Sequence, residues 1–103
     1  MFLALCNCPP DVGPAVARAL VEGRYAACVN IIPGVRSLYE WEGEICDDAE
    51  VTLLIKTTRA KMAALRAKIV EIHPYSVPEI LSIPVATDAS HAPYVDWVRQ
   101  MTT

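Results

Sequence analysis

The feature that most constrains the fold is a pair of long strand-like segments joined by a two-residue turn. The segment Tyr25–Trp41 is rich in β-branched and aromatic side chains, and a second such segment runs from Glu44 to Thr57. At about 3.3 Å per residue, a straight first strand would span on the order of 55 Å, whereas a compact domain of this length is only about 35 Å across. The sequence therefore predicts a long hairpin that either bends at Pro33 or projects from the domain.

A projecting hairpin favours assembly with further copies of the chain. It would expose apolar side chains and unpaired backbone edges, which native proteins normally cover. Hydrophobic residues make up 53% of the sequence and charged residues only 20%, so the chain has apolar side chains to spare for an interface. We expect a small symmetric oligomer with Leu38, Tyr39 and Trp41 in its interface.

The first quarter of the chain predicts a strand followed by a helix. The segment Phe2–Cys8 is short and mostly apolar, and two prolines close it, which is typical of a buried strand. Asp11 is a candidate N-cap for a helix from Val12 to about Glu22, and Gly23 suits its C-terminal end.

The second half predicts another helix, another strand and a short terminal helix. Thr58 can cap a helix that ends before His73, and Val77–Val85 is typical of an edge strand with prolines near its ends. The last helix, Pro93–Met101, places Tyr94, Trp97 and Val98 on one face. The order is β-α-β-β-α-β plus a helix, which is a ferredoxin-like α+β arrangement, and we expect one domain over residues 1–103.

Composition argues against several functional classes. The net charge is -3 and no window gathers Lys and Arg, so we expect no nucleic-acid partner. The longest apolar run, Val51–Ile55, is far shorter than the roughly 20 residues that a bilayer requires, and Met1–Leu5 does not begin a secretory signal. We therefore expect a cytoplasmic protein with reduced cysteines and no membrane segment. No nucleophile-elbow or phosphate-loop motif is present, so we expect no enzymatic role.

Short motifs along almost the whole chain resemble one known family. They are Ala26–Val35, Ser37–Tyr39, Trp41–Gly43, Leu54–Thr57, His73–Tyr75, Val77–Ile80, Pro84-Val85 and Tyr94–Trp97. Their residues, order and spacing closely resemble the CutA divalent-cation tolerance proteins. The resemblance implies a ferredoxin-like domain that forms a homotrimer through its long strands, which agrees with the predicted hairpin.

The same resemblance implies a metal site. Some members of the family bind copper through a cysteine on the first strand and a histidine of the His-Pro-Tyr motif, which correspond to Cys6 and His73. A thiolate suits Cu(I), and imidazole suits either copper state. Ile72 stands where a copper-binding relative can have a second histidine. A complete site for copper or another divalent ion would need Cys8, Glu79 or a neighbouring subunit.

Several residues keep two interpretations. Cys6 and Cys8 are either soft-metal ligands or small buried packing residues, and His73 is either a ligand or a helix-terminating side chain. Lys56, Glu79 and Tyr75 are candidates for a cleft at a subunit junction. The remaining polar features have bland interpretations: Cys28 as a core thiol, Cys46 as an exposed thiol, His91 as an exposed residue, and the acidic hairpin residues Glu40, Glu42, Glu44, Asp47, Asp48 and Glu50 as solubilising charges.

Three functions are therefore compatible with the sequence. The first is a trimeric protein of the metal-ion response that binds copper or other divalent ions. The second is a trimeric signalling or scaffold module, similar in architecture to small nitrogen-regulatory proteins, that binds a metabolite between subunits. The third is a monomeric copper chaperone suggested by Cys6 and Cys8, against which the absence of a Cys-x-x-Cys loop argues.

Overall fold

The computed structural model describes all 103 residues and has the predicted order of elements. None of its helices combines the length and the apolar composition needed to cross a membrane. The strands are β1 (Phe2–Cys8), β2 (Cys28–Trp41), β3 (Glu44–Thr57) and β4 (Leu81–Pro84). The helices are α1 (Gly13–Glu22), α2 (Arg59–Ile72) and α3 (Ala92–Met101), with a 3-10 turn at Thr87–Ala89 before the last one.

The strands form one antiparallel sheet in the order β2-β3-β1-β4. β1 lies in the middle and pairs with β3 along its whole length, so that Cys6 is opposite Leu53 and Cys8 is opposite Val51. Because successive side chains of a strand point to opposite faces, β1 and β3 bury every second residue on the same side of the sheet.

Two helices cover that side of the sheet and complete the core. Val16 and Leu20 of α1 and Leu65 and Ile69 of α2 are buried against the alternate residues of β1 and β3. α1 begins in very close contact with the sheet, since a Cβ atom added to Gly13 would lie 2.4 Å from Cγ2 of Val51. A larger residue at position 13 would displace the start of the helix.

The other face of the sheet carries both apolar and polar residues and is covered much less. The register places Leu5 and Leu54 on this face, together with Ile32 of β2 and Leu81 and Ile83 of β4. Leu5 and Leu54 are half-buried, whereas Ile32, Leu81 and Ile83 are 43%, 54% and 44% exposed.

The hairpin of β2 and β3 gives the molecule its elongated shape of 45 × 26 × 21 Å. The strands pair from Cys28 to Trp41, with an irregularity between Ile32 and Val35 that contains Pro33 and Gly34. Gly34 has a φ of 75°, which only glycine adopts without strain. The predicted bend at Pro33 and the predicted extension are both present.

The two predicted helix caps make no side-chain hydrogen bond. Asp11 does not cap α1, because the N-cap position is occupied by Val12 without a side-chain cap, and the carbonyl of Pro9 accepts from the backbone N–H groups of Val12 and Gly13 instead. Thr58 does occupy the N-cap position of α2, but its side chain makes no capping bond.

The last helix brings the predicted aromatic residues together. Tyr94 and Trp97 have ring centroids 5.6 Å apart and are 40% and 39% exposed. The residues that α3 buries are Val95 and Val98.

The fourth strand is shorter than the predicted Val77–Val85. It pairs only over Leu81–Pro84, opposite Phe2–Leu5 of β1, and Pro78, in the unpaired part, has no N–H group to donate to a sheet. β4 does lie at an edge of the sheet, as predicted. Residues 77–80 form an irregular segment, and this segment borders the cavity described below.

Candidate metal centre

Two thiols lie side by side beneath the helices. Cys6 and Cys8 are two positions apart on β1, so both side chains point into the core, and neither has any solvent-exposed surface. Their Sγ atoms are 4.0 Å apart, and all four cysteines of the chain are free thiols. The middle strand of the sheet thus presents a dithiol to the interior.

His73 brings an imidazole to these thiols from the end of α2. Its backbone N–H donates the last hydrogen bond of the helix, to the carbonyl of Ile69 at 2.8 Å, and its extended backbone, with a ψ of 138°, ends the helix. The buried ring reaches β1, where Nε2 lies 3.5 Å from Sγ of Cys8 and 2.8 Å from the carbonyl oxygen of Asn7. The potential ligand atoms of Cys6, Cys8 and His73 all lie within 4.8 Å of one another. The structure therefore brings together the three residues predicted as metal ligands.

The hydrogen bonds of His73 specify its tautomer. Nδ1 accepts from the backbone N–H of Tyr75 at 3.1 Å, so Nδ1 carries no proton. Nε2 faces the Asn7 carbonyl, which can only accept, so Nε2 carries the proton of the neutral ring. Both ring nitrogen atoms therefore have a hydrogen-bond partner. Nε2 faces Cys8 as an N–H group and not as a free lone pair.

The two thiols bias each other's ionisation. The hydrogen bond from Cys6 lowers the pKa of Cys8 although burial opposes this, while the same bond, together with burial, raises the pKa of Cys6 well above its ordinary value. Sγ of Cys8 thus lies next to both the thiol of Cys6 and Nε2 of His73.

A cavity of about 540 Å³ lies next to Asn7 and Tyr75 and extends along the outer half of the hairpin. Tyr75 and Glu79, two of the predicted cleft residues, line it. Lys56 lies elsewhere on the sheet, where its ammonium group contacts the side chains of Asn30 and Cys28. The cavity walls are completed by polar and apolar residues: Asn7, Ser37, Leu38, Tyr39, Trp41, Glu50, Ser76 and Val77.

Glu50 is a site residue that sequence reasoning missed. It was grouped with the solubilising charges of the hairpin, but only 6% of its surface is exposed, and its Oε2 accepts from the hydroxyl of Tyr75 at 2.9 Å. Burial, followed by this bond and the charge of Glu50, raises the pKa of Tyr75 above its ordinary range. The one available signal was position, since Glu50 directly precedes the alternating buried run of β3.

The other predicted polar residues lie outside the cluster. Cys28 is half-buried next to Lys56 rather than in the core, and Cys46 is also half-buried rather than exposed. On the hairpin, Asp47 accepts from Arg36 and Asp48 accepts from Tyr39. His91 is exposed, as predicted, in front of α3.

Comparison with known proteins defines first a class and then a family. The structure is an α+β protein whose antiparallel sheet and three helices match a protein from Nostoc described as PII-like CutA in apo form. That match has a TM-score of 0.96 and 45% identity, and it covers 100% of this chain and 98% of the other. The divalent cation tolerance protein of Thermus thermophilus matches with a TM-score of 0.92 and 43% identity over the full length of both chains.

The sequence comparisons identify the family. The model of the CutA1 divalent ion tolerance protein family matches residues 2–101, and the chain belongs to this family. A Thermus thermophilus divalent-cation tolerance protein is 46% identical over 89% of this chain and 87% of its own length. Human protein CutA is 45% identical over 96% of this chain, which spans only 55% of the human protein. The predicted family is confirmed.

Proposed function

We propose that this chain is a trimeric, non-enzymatic protein of the divalent-cation response that binds copper through Cys6 and Cys8, with His73 as their polar neighbour. The observation that carries the proposal is the convergence of two buried thiols and one imidazole within 4.8 Å. Two sulfur atoms 4.0 Å apart are close enough to contact one metal ion, since metal–sulfur bonds are about 2.3 Å long. Thiolates are the ligands that Cu(I) prefers.

The tautomer of His73 makes this residue a weaker candidate ligand than Cys6 and Cys8. To bind a metal through Nε2, the ring would have to give up its bond to the Asn7 carbonyl and place a proton on Nδ1, facing the N–H of Tyr75. The thiols have only longer contacts to lose, from Sγ of Cys6 to the Asn7 carbonyl at 3.8 Å and to Sγ of Cys8 at 4.0 Å. Cys6 and Cys8 are therefore the proposed ligands, and His73 is a polar neighbour that keeps its bond to the Asn7 carbonyl.

Copper titration of five variants tests this ranking. We expect Cys6→Ala and Cys8→Ala each to weaken Cu(I) binding by more than about 100-fold, and His73→Ala by about tenfold, the range of an outer partner. Cys28→Ala and Cys46→Ala are the matched controls, because they remove thiols outside the cluster and should leave the affinity unchanged. Unchanged affinity in Cys6→Ala and Cys8→Ala would refute the site, and an equally large loss in His73→Ala would make His73 a ligand.

The homotrimer is supported by the uncovered face of the sheet. Antiparallel sheets commonly leave one face to solvent, and that face is then polar. Here it carries Leu5, Leu54, Leu81 and Ile83 beside the polar residues Asn30, Thr52 and Lys56. Leu38, Tyr39 and Trp41 extend the apolar surface along the hairpin, with exposed fractions of 67%, 40% and 48%. The strand order, with two β-α-β halves, supports the ferredoxin-like arrangement that we propose for the subunit.

Native mass measurement tests the assembly. We expect a mass of three chains at micromolar concentration, and a mass of one chain for a Trp41→Glu, Leu81→Glu double variant. Val70→Glu is the control, because Val70 is 57% exposed on α2, away from the less covered face of the sheet. A wild-type protein that is a stably folded single chain at micromolar concentration would refute the trimer.

The cavity along the outer half of the hairpin supports a second candidate function, the binding of a small metabolite between subunits. Its volume of about 540 Å³ lies within the range of small-molecule sites, and polar side chains converge on it from β1, β2, β3 and the segment after α2. Leu38, Tyr39 and Trp41 belong both to this cavity and to the proposed interface, so a neighbouring copy would help to close it.

We propose the cytoplasm as the location of this chain. The similar proteins include one named chloroplastic, from Arabidopsis thaliana, and one named periplasmic, from Archaeoglobus fulgidus. Fractionation of cells with an antibody to the protein would decide between these compartments, and recovery outside the cytoplasmic fraction would overturn the proposal.

A further inference from the structure

The cavity beside the metal centre contains a buried carboxylate without a counter-ion. Only 6% of the surface of Glu50 is exposed to solvent. The residue belongs to none of the four ion pairs of the chain. Its only hydrogen-bond donor is the neutral hydroxyl of Tyr75, which engages Oε2 and leaves Oε1 without a protein donor. Buried carboxylates are rare unless paired, so this environment is suited to a cation that is absent from the chain itself.

The walls of the cavity lack any positive charge that could serve this role. The ten lining residues include Glu50 and Glu79 but no Lys, Arg or His. Asp48 lies close to the same wall, hydrogen-bonded to the lining residue Tyr39. The electrostatic potential in the cavity is therefore negative, and it favours cationic over neutral or anionic ligands.

The remaining walls are aromatic. Tyr39, Trp41 and Tyr75 line the cavity together with Leu38 and Val77. The faces of Tyr and Trp rings attract ammonium and guanidinium groups and also pack against apolar groups. Such walls suit an organic ligand better than a hydrated metal ion, which would require several oxygen ligands around it.

We propose that this cavity binds a small organic cation, with an amine or guanidine nitrogen at the carboxylate of Glu50 and an apolar or aromatic body against Tyr39, Trp41 and Tyr75. This inference rests on the second candidate function, that the cavity is a small-molecule site, and it names the chemical class of the ligand. Tyr75 positions the carboxylate through its hydroxyl. Glu79 adds a second acceptor at the wall.

Three probes of similar size separate the effect of ligand charge on binding from the effect of ligand shape. Phenethylamine, 2-phenylethanol and phenylacetate share a ring and a two-atom arm and differ in carrying a positive, zero or negative charge at neutral pH. NMR titration of the native assembly should show the amine bound about tenfold or more tightly than the alcohol, with the acid weakest, because a charge-assisted bond is roughly twice as strong as a neutral one. The resonances that move should be those of Trp41, Tyr39 and Tyr75.

Variants test whether Glu50 causes the preference for the amine over the alcohol. Glu50→Gln should abolish the advantage of the amine over the alcohol, and Glu79→Gln should reduce it. Asp88→Asn is the matched control, because Asp88 is an exposed acid outside the cavity. Should Glu50→Gln fail to fold, Tyr75→Phe provides the second measurement, since it keeps the aromatic wall and removes the hydroxyl that positions the carboxylate.

The outcomes distinguish an error in the proposed ligand class from an error in the proposal that the cavity is a small-molecule site. If the alcohol binds as tightly as the amine, the cavity is a small-molecule site but the cation class is wrong. If none of the probes moves a cavity resonance, or if a Lys or Arg of a neighbouring copy occupies the cavity in a structure of the assembly, both the ligand class and the second candidate function are wrong. A preference for the amine that survives in Glu50→Gln would also overturn the assignment to this carboxylate.

Discussion

The two ends of the β2–β3 hairpin have the same backbone pairing but different surroundings. Near Thr57 the strand β3 alternates between fully buried and half-buried residues, with Leu53 and Ile55 under the helices. Near Glu44 almost every side chain is exposed, including Ile45 at 74%. Burial of apolar area stabilises only the first end within one chain. The second end carries apolar side chains that a single chain does not use, which is typical of a surface that contacts another copy.

Truncation of one apolar residue at each end should separate these roles most strongly. We expect Leu53→Ala to reduce the free energy of unfolding by about 2–5 kcal/mol at every protein concentration, because it opens a cavity in the core. Ile45→Ala should change it by less than about 0.5 kcal/mol in the dissociated chain. Urea unfolding over a series of protein concentrations measures both. Equal losses at all concentrations would contradict the distinction.

A smaller effect is expected at the irregularity that separates the two ends. Gly34 has a φ of 75°, and a Cβ atom added there would meet no neighbour within 4 Å. Gly34→Ala should therefore reduce the free energy of unfolding by about 1 kcal/mol through backbone strain alone. Gly34→Asn is the matched control, because asparagine tolerates this conformation better than alanine. The explanation fails if alanine and asparagine are equally destabilising in thermal unfolding.

The smallest effect concerns the charges of the exposed end. Arg36 donates two hydrogen bonds to Asp47 across the hairpin, and this holds the pKa of Asp47 below its ordinary value. Because the pKa is lowered in the folded state, any stabilisation is present above the unfolded pKa and is lost as the pH falls through the folded one. Arg36→Gln should return the pKa of Asp47 toward its ordinary value in an NMR titration, with unfolding at neutral pH nearly unchanged because both groups are solvated. An unaltered pKa would contradict the pairing.

The elements that the sequence predicted well are those defined by local periodicity. β1, the hairpin with its Glu42-Gly43 turn and the extent of α2 follow from patterns that neighbouring residues alone determine. The shortened β4 and the exposed position of Trp97 on α3 do not follow from such patterns. They depend on which residues pair across the sheet and on which side of a helix meets the rest of the protein.

The candidate site shows the same limit. Cys6 and Cys8 could be paired from the sequence because they are two positions apart on one strand. Their contact with His73, 65 positions away from Cys8, was predicted only through the family resemblance, since no local pattern connects them. Glu50 was misassigned because its burial depends on Tyr75, 25 positions further along, and an acidic residue at the end of an acidic hairpin has the appearance of a solubilising charge.

The alternation of β1 has one further consequence. Cys6 and Cys8 point into the dry interior, while the side chain of Asn7, between them, borders the wet cavity and its carbonyl oxygen binds the ring of His73. Tyr75 contacts that ring and also holds Glu50 at the cavity wall. The cysteine cluster and the cavity are therefore separated by the thickness of one strand, and Asn7 and Tyr75 belong to the boundary of both.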